Sequence, residues 1–296
     1  MEQQQQLPEA VNAAGVRATY CNETYGPHER NTFDIWLADS QEPTPLVIFI
    51  HGGGFIGGDK SRYYESEDWP RLLEAGVSVA SINYRYMNEP PYGILSSMND
   101  SKRCLQYIRN NAEKFNIDKE KIACSGGSAG AGTALWLAFS DDMAEPESED
   151  PVLRESTKIV AAGAFVAQST YDILRWSEII GLPAEKSQQE LQMIARAFGL
   201  NSAKGVDLYA QTDIRNNLDF LKKMSADGAP IFVYNDKEAG IPTNEDELQH
   251  HPLHAKALKD RADEVGLEAV VYAPSISLID ESGKDLVEFL LEKFRD

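Results

Sequence analysis

Residues 121–140 read KIACSGGSAGAGTALWLAFS, and they join an apolar, strand-forming run to a helix-forming segment. Between the two lies Gly126-Gly127-Ser128-Ala129-Gly130, a G-x-S-x-G motif. A serine on so sharp a turn needs glycine, or a residue almost as small, two positions away on each side, because larger side chains would clash. The motif therefore predicts a nucleophile elbow with Ser128 as the nucleophile of an acyl transfer. The alternative, for this motif alone, is a glycine-rich turn whose serine caps the following helix.

A second glycine-rich motif, HGGGF at residues 51–55, directly follows a continuous apolar run at 45–50. Such a run is typical of a strand buried on both faces. Three consecutive glycines cost backbone entropy and usually permit a close approach to the backbone. In acyl transfer, that approach lets N–H groups point at the oxygen that becomes negative. We predict an oxyanion hole formed by the N–H groups of Gly53, Gly54 and Ala129, with His51 shaping the loop rather than acting as a base.

Segments with strand and helix character alternate along the chain. Strands are predicted at 16–21, 32–37, 45–50, 77–84, 122–124, 159–167, 230–234 and 267–272. Helices are predicted at 64–75, 94–115, 131–139, 187–198, 254–265 and 284–294. This alternation predicts a mostly parallel eight-stranded sheet with helices on both faces. Residues 173–224 interrupt the alternation and are helix-prone, so we expect one α/β domain over residues 1–296 with a helical insertion there.

Four motifs together resemble the α/β-hydrolase-fold carboxylesterases of the hormone-sensitive-lipase-like type. They are HGGGF at 51–55, GDK at 58–60, NYR at 83–85 and GGSAG at 126–130. The resemblance implies the α/β-hydrolase fold, ester substrates, no cofactor and a Ser–Asp–His triad in that chain order. It also implies a helical cap over the site, and the insertion at 173–224 falls where such a cap is often placed.

The triad histidine that the resemblance implies, in the loop after the last strand, is missing from this chain. That loop reads APSISLID at 273–280, and the last histidine of the sequence is His254. For the acid, the loop after the strand at 230–234 offers Asp236 and Glu238, of which we take Asp236. Without a base, a serine hydroxyl is almost never deprotonated at neutral pH, so its attack is slow.

A replacement base is available in QHHPLH at 249–254. Pro252 suits a first helical turn, which places the two preceding histidines in a loop. We take His251, with His250 as the alternative, as a general base in a non-standard position. The competing interpretation is that these histidines cap the helix or contact the insertion. A metal site built on His250, His254 and the carboxylates at 245–247 lacks a fixed ligand pattern, so we predict no metal.

The composition bears on partners and location. Acidic residues outnumber basic ones 47 to 28, for a net charge of −19, which argues against nucleic acid and anionic membranes as partners. No stretch approaches the roughly 18 apolar residues that cross a bilayer. The three scattered cysteines indicate free thiols. The start, MEQQQQLPEA, lacks signal-peptide features, so we expect a cytoplasmic protein by default, and a secreted or periplasmic one if a leader has been removed.

Two functions are consistent with these features. The first is a serine carboxylesterase that acts on small or medium acyl esters, uncharged or cationic, through an acyl-enzyme on Ser128. The second is a non-catalytic α/β-hydrolase-fold protein that binds a small molecule or partner in the former active-site cleft. The missing terminal histidine motivates the second function, unless the sequence is altered near residues 275–280. The oligomeric state and the particular ester are not indicated.

Overall fold

Eight strands form one sheet in the computed structural model, which describes residues 10–183 and 185–295. The strands are β1 (Tyr20–Thr24), β2 (Thr32–Trp36), β3 (Thr44–Ile50), β4 (Ser78–Ile82), β5 (Ile117–Gly127), β6 (Ala162–Phe165), β7 (Ile231–Tyr234) and β8 (Ala269–Tyr272). Their spatial order is β1-β2-β4-β3-β5-β6-β7-β8. β2 runs antiparallel to both of its neighbours, and all other pairs are parallel. The predicted α/β-hydrolase fold with a mostly parallel eight-stranded sheet is confirmed.

β3 shows why its continuous apolar run belongs at the centre of the sheet. Side chains alternate between the two faces of a strand, so a strand with helices on both sides must be apolar at every position. Leu46, Ile48 and Ile50 pack into one core cluster, whereas Val47 and Phe49 pack into the other. β3 therefore separates the two hydrophobic layers that hold the domain together.

Helices cover both faces of the sheet. They are α1 (Asp68–Glu74), α2 (Ile94–Asn110), α3 (Ala112–Phe115), α4 (Ala129–Phe139), α5 (Trp176–Ile179), α6 (Gln188–Ala197), α7 (Thr212–Leu218), α8 (Phe220–Lys223), α9 (Glu245–Gln249), α10 (Leu253–Val265) and α11 (Leu286–Lys293). α2, α4 and α10 pack on one face, and α1 and α11 pack on the other. The helix predicted at 94–115 is divided at Asn111 into α2 and α3.

The stretch at 173–224, between β6 and β7, forms α5 to α8. Trp176, Ile194, Leu218 and Phe220 of this stretch are buried in the same core cluster as the central strands. The apolar side chains of the stretch therefore extend the main core at the edge of the sheet where the parallel strands end.

Candidate active site

Ser128 is the single residue between the end of β5 and the start of α4. Its φ of 50° and ψ of −115° are values that residues other than glycine rarely adopt. Its N–H donates to Phe165 O at 2.9 Å, and its side chain makes no hydrogen bond that caps α4. The interpretation of Ser128 as a helix cap is therefore wrong. The strained turn instead projects the hydroxyl away from the helix, as a nucleophile elbow requires.

The two glycines that flank the elbow are required by close packing against the end of β3. A Cβ atom on Gly126 or Gly130 would collide with Ile50 O. The strand and the helix that carry Ser128 thus approach the neighbouring backbone as closely as only glycine permits.

The Ser128 hydroxyl lies at one end of a chain of three hydrogen-bonded side chains. Ser128 Oγ is 2.8 Å from His250 Nε2, and His250 Nδ1 is 2.9 Å from Asp246 Oδ1. When Nδ1 carries the imidazole proton, it donates to Asp246 and leaves Nε2 free to accept the hydroxyl proton. The order of groups is that of a nucleophile, a base and an orienting carboxylate.

Asp246 and His250 are brought together by α9, a one-turn helix after β7. Residues four apart on a helix lie on the same side of it, so the two side chains meet. Asn244 caps this helix, because its side chain accepts from Glu247 N at 3.0 Å. The side chain of His250 is 14% exposed, whereas that of Asp246 is 77% exposed. The carboxylate of this trio therefore faces solvent.

His251 and Asp236, the predicted base and acid, do not reach Ser128. His251 Nε2 hydrogen bonds with Gly240 O at 2.9 Å, and its Nδ1 accepts from Leu253 N at 3.2 Å. Asp236 and Glu238 are exposed, and among the described residues no hydrogen bond or ion pair joins either of them to His250. His250, rather than His251, therefore lies beside Ser128, and Asp246, rather than Asp236, lies beside that histidine.

The physical reason for this correction is α9, because His250 and His251 were predicted to lie in a loop before Pro252 and no helix was predicted there. Two signals for the helix were present. Asn244 precedes three acidic residues, which is a helix-start pattern, and Asp246 and His250 have the i, i+4 spacing of a helical pair.

Two other histidines are buried and have structural contacts. His51 Nδ1 contacts Gly52 O at 2.8 Å, and its ring stacks on Tyr84 with centroids 4.2 Å apart, so it shapes the HGGG loop. His254 Nε2 contacts Leu248 O at 3.2 Å, and its Nδ1 lies 3.0 Å from Ser169 Oγ. Burial lowers the pKa of each imidazole to about 4.

These buried histidines predict a loss of stability in mild acid. In the unfolded chain an imidazole titrates near its usual pKa of about 6.5, so the unfolded state binds more protons as the pH falls below that value. Between pH 7 and pH 5 each buried histidine should cost about 2 kcal/mol of unfolding free energy. Urea unfolding at both pH values should show that His254→Gln loses less unfolding free energy between pH 7 and pH 5 than the parent protein does. Equal losses of unfolding free energy in the two proteins would contradict a lowered pKa for His254 in the folded state.

The glycines of the HGGG motif line the pocket that contains Ser128. Gly53 and Gly54 have φ values of 115° and 60°, and a Cβ on Gly53 would collide with Gly57 O. Among the described residues, no backbone acceptor contacts the N–H of Gly53 or Gly54. Ala129 is the first residue of α4, where a helix leaves its N–H without an intrahelical partner. Within the described ranges, the predicted oxyanion donors thus have N–H groups without a backbone partner, and their role stays a prediction.

The pocket has a volume of about 490 Å³ and mostly apolar walls. The stretch at 173–224 contributes Ile173, Trp176, Met193 and Ala197 to these walls. Further apolar lining residues are Phe55, Ile56, Met87, Ile94, Val166 and Tyr171. Charged side chains at the pocket are Arg62, Glu245 and Asp246. Ser128 therefore lies in a largely apolar pocket that has two carboxylates and one guanidinium at its border.

Neither a metal centre nor a membrane-spanning helix is found in residues 10–183 and 185–295. No group of three or more His, Cys, Asp or Glu side chains in these ranges is arranged to hold a metal ion. No helix there combines the length and the apolar character needed to cross a bilayer.

The sheet order and the elbow define a protein of the α/β-hydrolase class, which confirms the resemblance carried by the sequence motifs. The chain belongs to the BD-FAE family, whose model matches residues 33–226. This match includes both glycine motifs and ends before α9. The family assignment therefore covers Ser128 and the HGGG loop but not Asp246 or His250.

Several similar proteins are named as esterases. A probable isoprenylcysteine alpha-carbonyl methylesterase of Arabidopsis thaliana is 31% identical over 127 residues, which are 42% of this chain and 29% of that protein. The probable carboxylic ester hydrolase LipM of Mycobacterium tuberculosis is 26% identical over 257 residues, which are 84% of this chain and 53% of that protein. The chain thus matches less than a third of the first of these relatives and about half of the second.

Solved structures agree on the fold. A truncated carbohydrate esterase from gut microbiota superposes with a TM-score of 0.69 at 18% identity, covering 94% of this chain and 96% of that one. An esterase of Thermogutta terrifontis superposes with a TM-score of 0.59 at 14% identity, covering 83% and 78% of the two chains. At these identities the likeness supports the fold, and the particular chemistry has to be argued from the site.

Proposed function

We propose that this protein is a carboxylic ester hydrolase with Ser128 as nucleophile, His250 as general base and Asp246 as the orienting acid. The observation that carries the proposal is the continuous hydrogen-bonded chain from Ser128 Oγ to His250 Nε2 at 2.8 Å and from His250 Nδ1 to Asp246 at 2.9 Å. A base at hydrogen-bond distance from a serine on a nucleophile elbow is the arrangement that acyl transfer needs. The esterase names of the relatives support the same reaction class.

The reaction proceeds in two halves. His250 Nε2 takes the Ser128 proton as Oγ bonds to the ester carbon, and the carbonyl oxygen becomes negative against the N–H groups of Gly53, Gly54 and Ala129. The oxyanion then collapses, the bond to the alcohol oxygen breaks, and His250 gives its proton to that oxygen. A water molecule next attacks the acyl-enzyme, again through His250, and the carboxylic acid leaves with Ser128 restored.

The pocket supports a small or medium acyl ester as substrate. Its volume of about 490 Å³ and its apolar walls suit an acyl group with few polar atoms. Glu245 and Asp246 outnumber Arg62 at its border, and the whole chain carries a net charge of −19, so an uncharged or cationic ester enters more readily than an anionic one. The stretch at 173–224 serves as the cap, because Trp176 and Met193 form part of the pocket wall.

The second candidate function is ligand binding without turnover. The observation that favours it is the exposure of Asp246, whose side chain is 77% accessible. Solvent screens an exposed carboxylate and weakens its hold on a partner. A fold that kept its elbow but lost an effective acid would bind esters and release them unchanged.

Turnover of 4-nitrophenyl esters separates these two functions. Purified protein is assayed on acetate, butyrate and octanoate esters, beside Ser128→Ala as the matched control. The esterase proposal predicts release of 4-nitrophenol that depends on Ser128 and is fastest for short or medium chains. Equal rates for the two proteins on every ester would overturn the esterase proposal in favour of ligand binding.

Asp246→Asn should reduce kcat by about 10²- to 10³-fold. Loss of a buried triad acid costs on the order of 10⁴-fold, because the imidazole loses both its orientation and its charge partner. The exposed Asp246 is screened by water, so its contribution should be smaller. Steady-state kinetics on 4-nitrophenyl butyrate measures this, with Asp236→Asn as the control that should leave kcat within about twofold. A larger loss for Asp236→Asn than for Asp246→Asn would contradict the assignment of the acid.

A further inference from the structure

The C-terminal end of α9 is held by three side chains from outside the helix. Each donates a hydrogen bond to one of three consecutive carbonyl groups. The pairs are His254 Nε2 with Leu248 O at 3.2 Å, Gln168 Nε2 with Gln249 O at 3.0 Å, and Asn235 Nδ2 with His250 O at 3.0 Å. A helix leaves its last carbonyls without intrahelical partners, so these bonds satisfy groups that otherwise need water.

All three donors are buried, with at most 2% of each residue exposed. They come from different elements, since Gln168 follows β6, Asn235 follows β7 directly and His254 lies in the first turn of α10. The N–H of Ser169 points at His254 Nδ1 from 3.4 Å, so the ring proton lies on Nε2 and faces Leu248 O. The buried amide of Asn235 is oriented in the same way, because its Oδ1 accepts from Lys237 N at 2.9 Å.

A five-residue helix needs such support. Isolated helices of this length are unstable in water, because one turn cannot offset the cost of nucleation. The other end of α9 is exposed, and its carboxylate Asp246 faces solvent. The position of His250 is therefore determined at the buried end of the helix, where His250 O itself accepts from Asn235.

We propose that Asn235, Gln168 and His254 are positioning residues that hold α9 so that His250 Nε2 stays within hydrogen-bond reach of Ser128 Oγ. The proposal rests on the proposed function, since it concerns the same base. It explains how a histidine that follows β7, rather than β8, is held at the nucleophile. A displacement of a catalytic group by about 1 Å costs on the order of 10²-fold in rate.

The test separates positioning from general stability by its effect on kcat. Asn235→Asp keeps the volume but cannot donate when it is ionised, so the variants are assayed at pH 8. His254→Leu removes the second donor, whereas His254→Gln retains an N–H near the Nε2 position. The matched control is Thr170→Val, which deletes a fully buried hydroxyl that donates to Leu218 O at 3.3 Å or Asp219 at 3.0 Å and accepts from Asp172 N at 3.0 Å, none of which belongs to α9.

We expect Asn235→Asp and His254→Leu to lower kcat about 10- to 100-fold on 4-nitrophenyl butyrate with KM within about twofold. His254→Gln should recover most of kcat, and Thr170→Val should keep it within about twofold of the parent. Thermal unfolding of each variant checks that it is folded. If Asn235→Asp does not fold, the comparison of His254→Leu with His254→Gln provides the same test.

Three results would overturn the proposal. The first is unchanged kcat in Asn235→Asp and His254→Leu while His250→Ala is inactive, which leaves the esterase function intact. The second is an equal loss of kcat in Thr170→Val, and the third is the absence of recovery in His254→Gln. Retention of full turnover by Ser128→Ala is a different outcome, because it contradicts the proposed function itself.

Discussion

His250→Ala should lower kcat on 4-nitrophenyl butyrate by about 10⁴- to 10⁶-fold, whereas His251→Ala should leave it within about twofold. The loss follows from the 2.8 Å contact between His250 Nε2 and Ser128 Oγ, because in the described part of the chain no other base is hydrogen bonded to the hydroxyl. Removal of the histidine from a serine protease triad costs about 10⁶-fold in kcat.

The adjacent His251 is the matched control for this prediction. Its ring nitrogens are 2.9 Å from Gly240 O and 3.2 Å from Leu253 N, so its loss affects the loop but not the serine. Steady-state kinetics of the two variants in parallel gives the comparison. A greater loss of kcat in His251→Ala than in His250→Ala would favour His251, the base predicted from sequence, over His250.

Ser128→Ala should abolish measurable turnover, with a fall in kcat of about 10⁶-fold, while binding of a non-hydrolysable ester analogue stays within a few fold. The hydroxyl forms the acyl-enzyme, and its loss removes that intermediate, whereas the apolar pocket walls remain. The variant should still hydrolyse the ester about 10³- to 10⁴-fold faster than water alone does, because the oxyanion donors and substrate binding remain.

The control for this prediction is a serine that lies outside the pocket. Ser275 is exposed in a short 3₁₀ helix, where its Oγ donates to Lys237 O at 2.6 Å, so Ser275→Ala should leave kcat unchanged within about twofold. Pre-steady-state measurement should also show a burst of 4-nitrophenol in the parent and none in Ser128→Ala. A full rate in Ser128→Ala would mean that hydrolysis occurs elsewhere or without a covalent intermediate.

The features that the sequence predicts well are local. The elbow around Ser128 and the HGGG loop depend on residues within a few positions of each other, and their glycines are needed at the positions where the structure packs most closely. The strands β3 and β4 are also predicted closely, because both are almost entirely buried. The strand predicted at 16–21 overlaps β1 only at Tyr20 and Cys21, and the one predicted at 122–124 covers only the middle of β5.

The base was harder to predict because its position depends on long-range packing. His250 is 122 residues from Ser128 along the chain, and the sheet order and the short helix α9 bring the two together. One position distinguishes His250 from His251, and the helical turn directs their rings to different neighbours. Asp246 follows from the same helix, whereas the prediction of Asp236 assumed that the acid lies immediately after β7.

Covalent labelling with a fluorophosphonate tests most directly whether Ser128 is a nucleophile activated by His250. The reagent phosphonylates an activated serine, and peptide mass spectrometry locates the adduct. We predict one adduct, on Ser128 in the parent, with labelling at least about 100-fold slower in His250→Ala and unchanged in His251→Ala. Labelling of His250→Ala at the parent rate, or an adduct on another residue with none on Ser128, would contradict the proposed site.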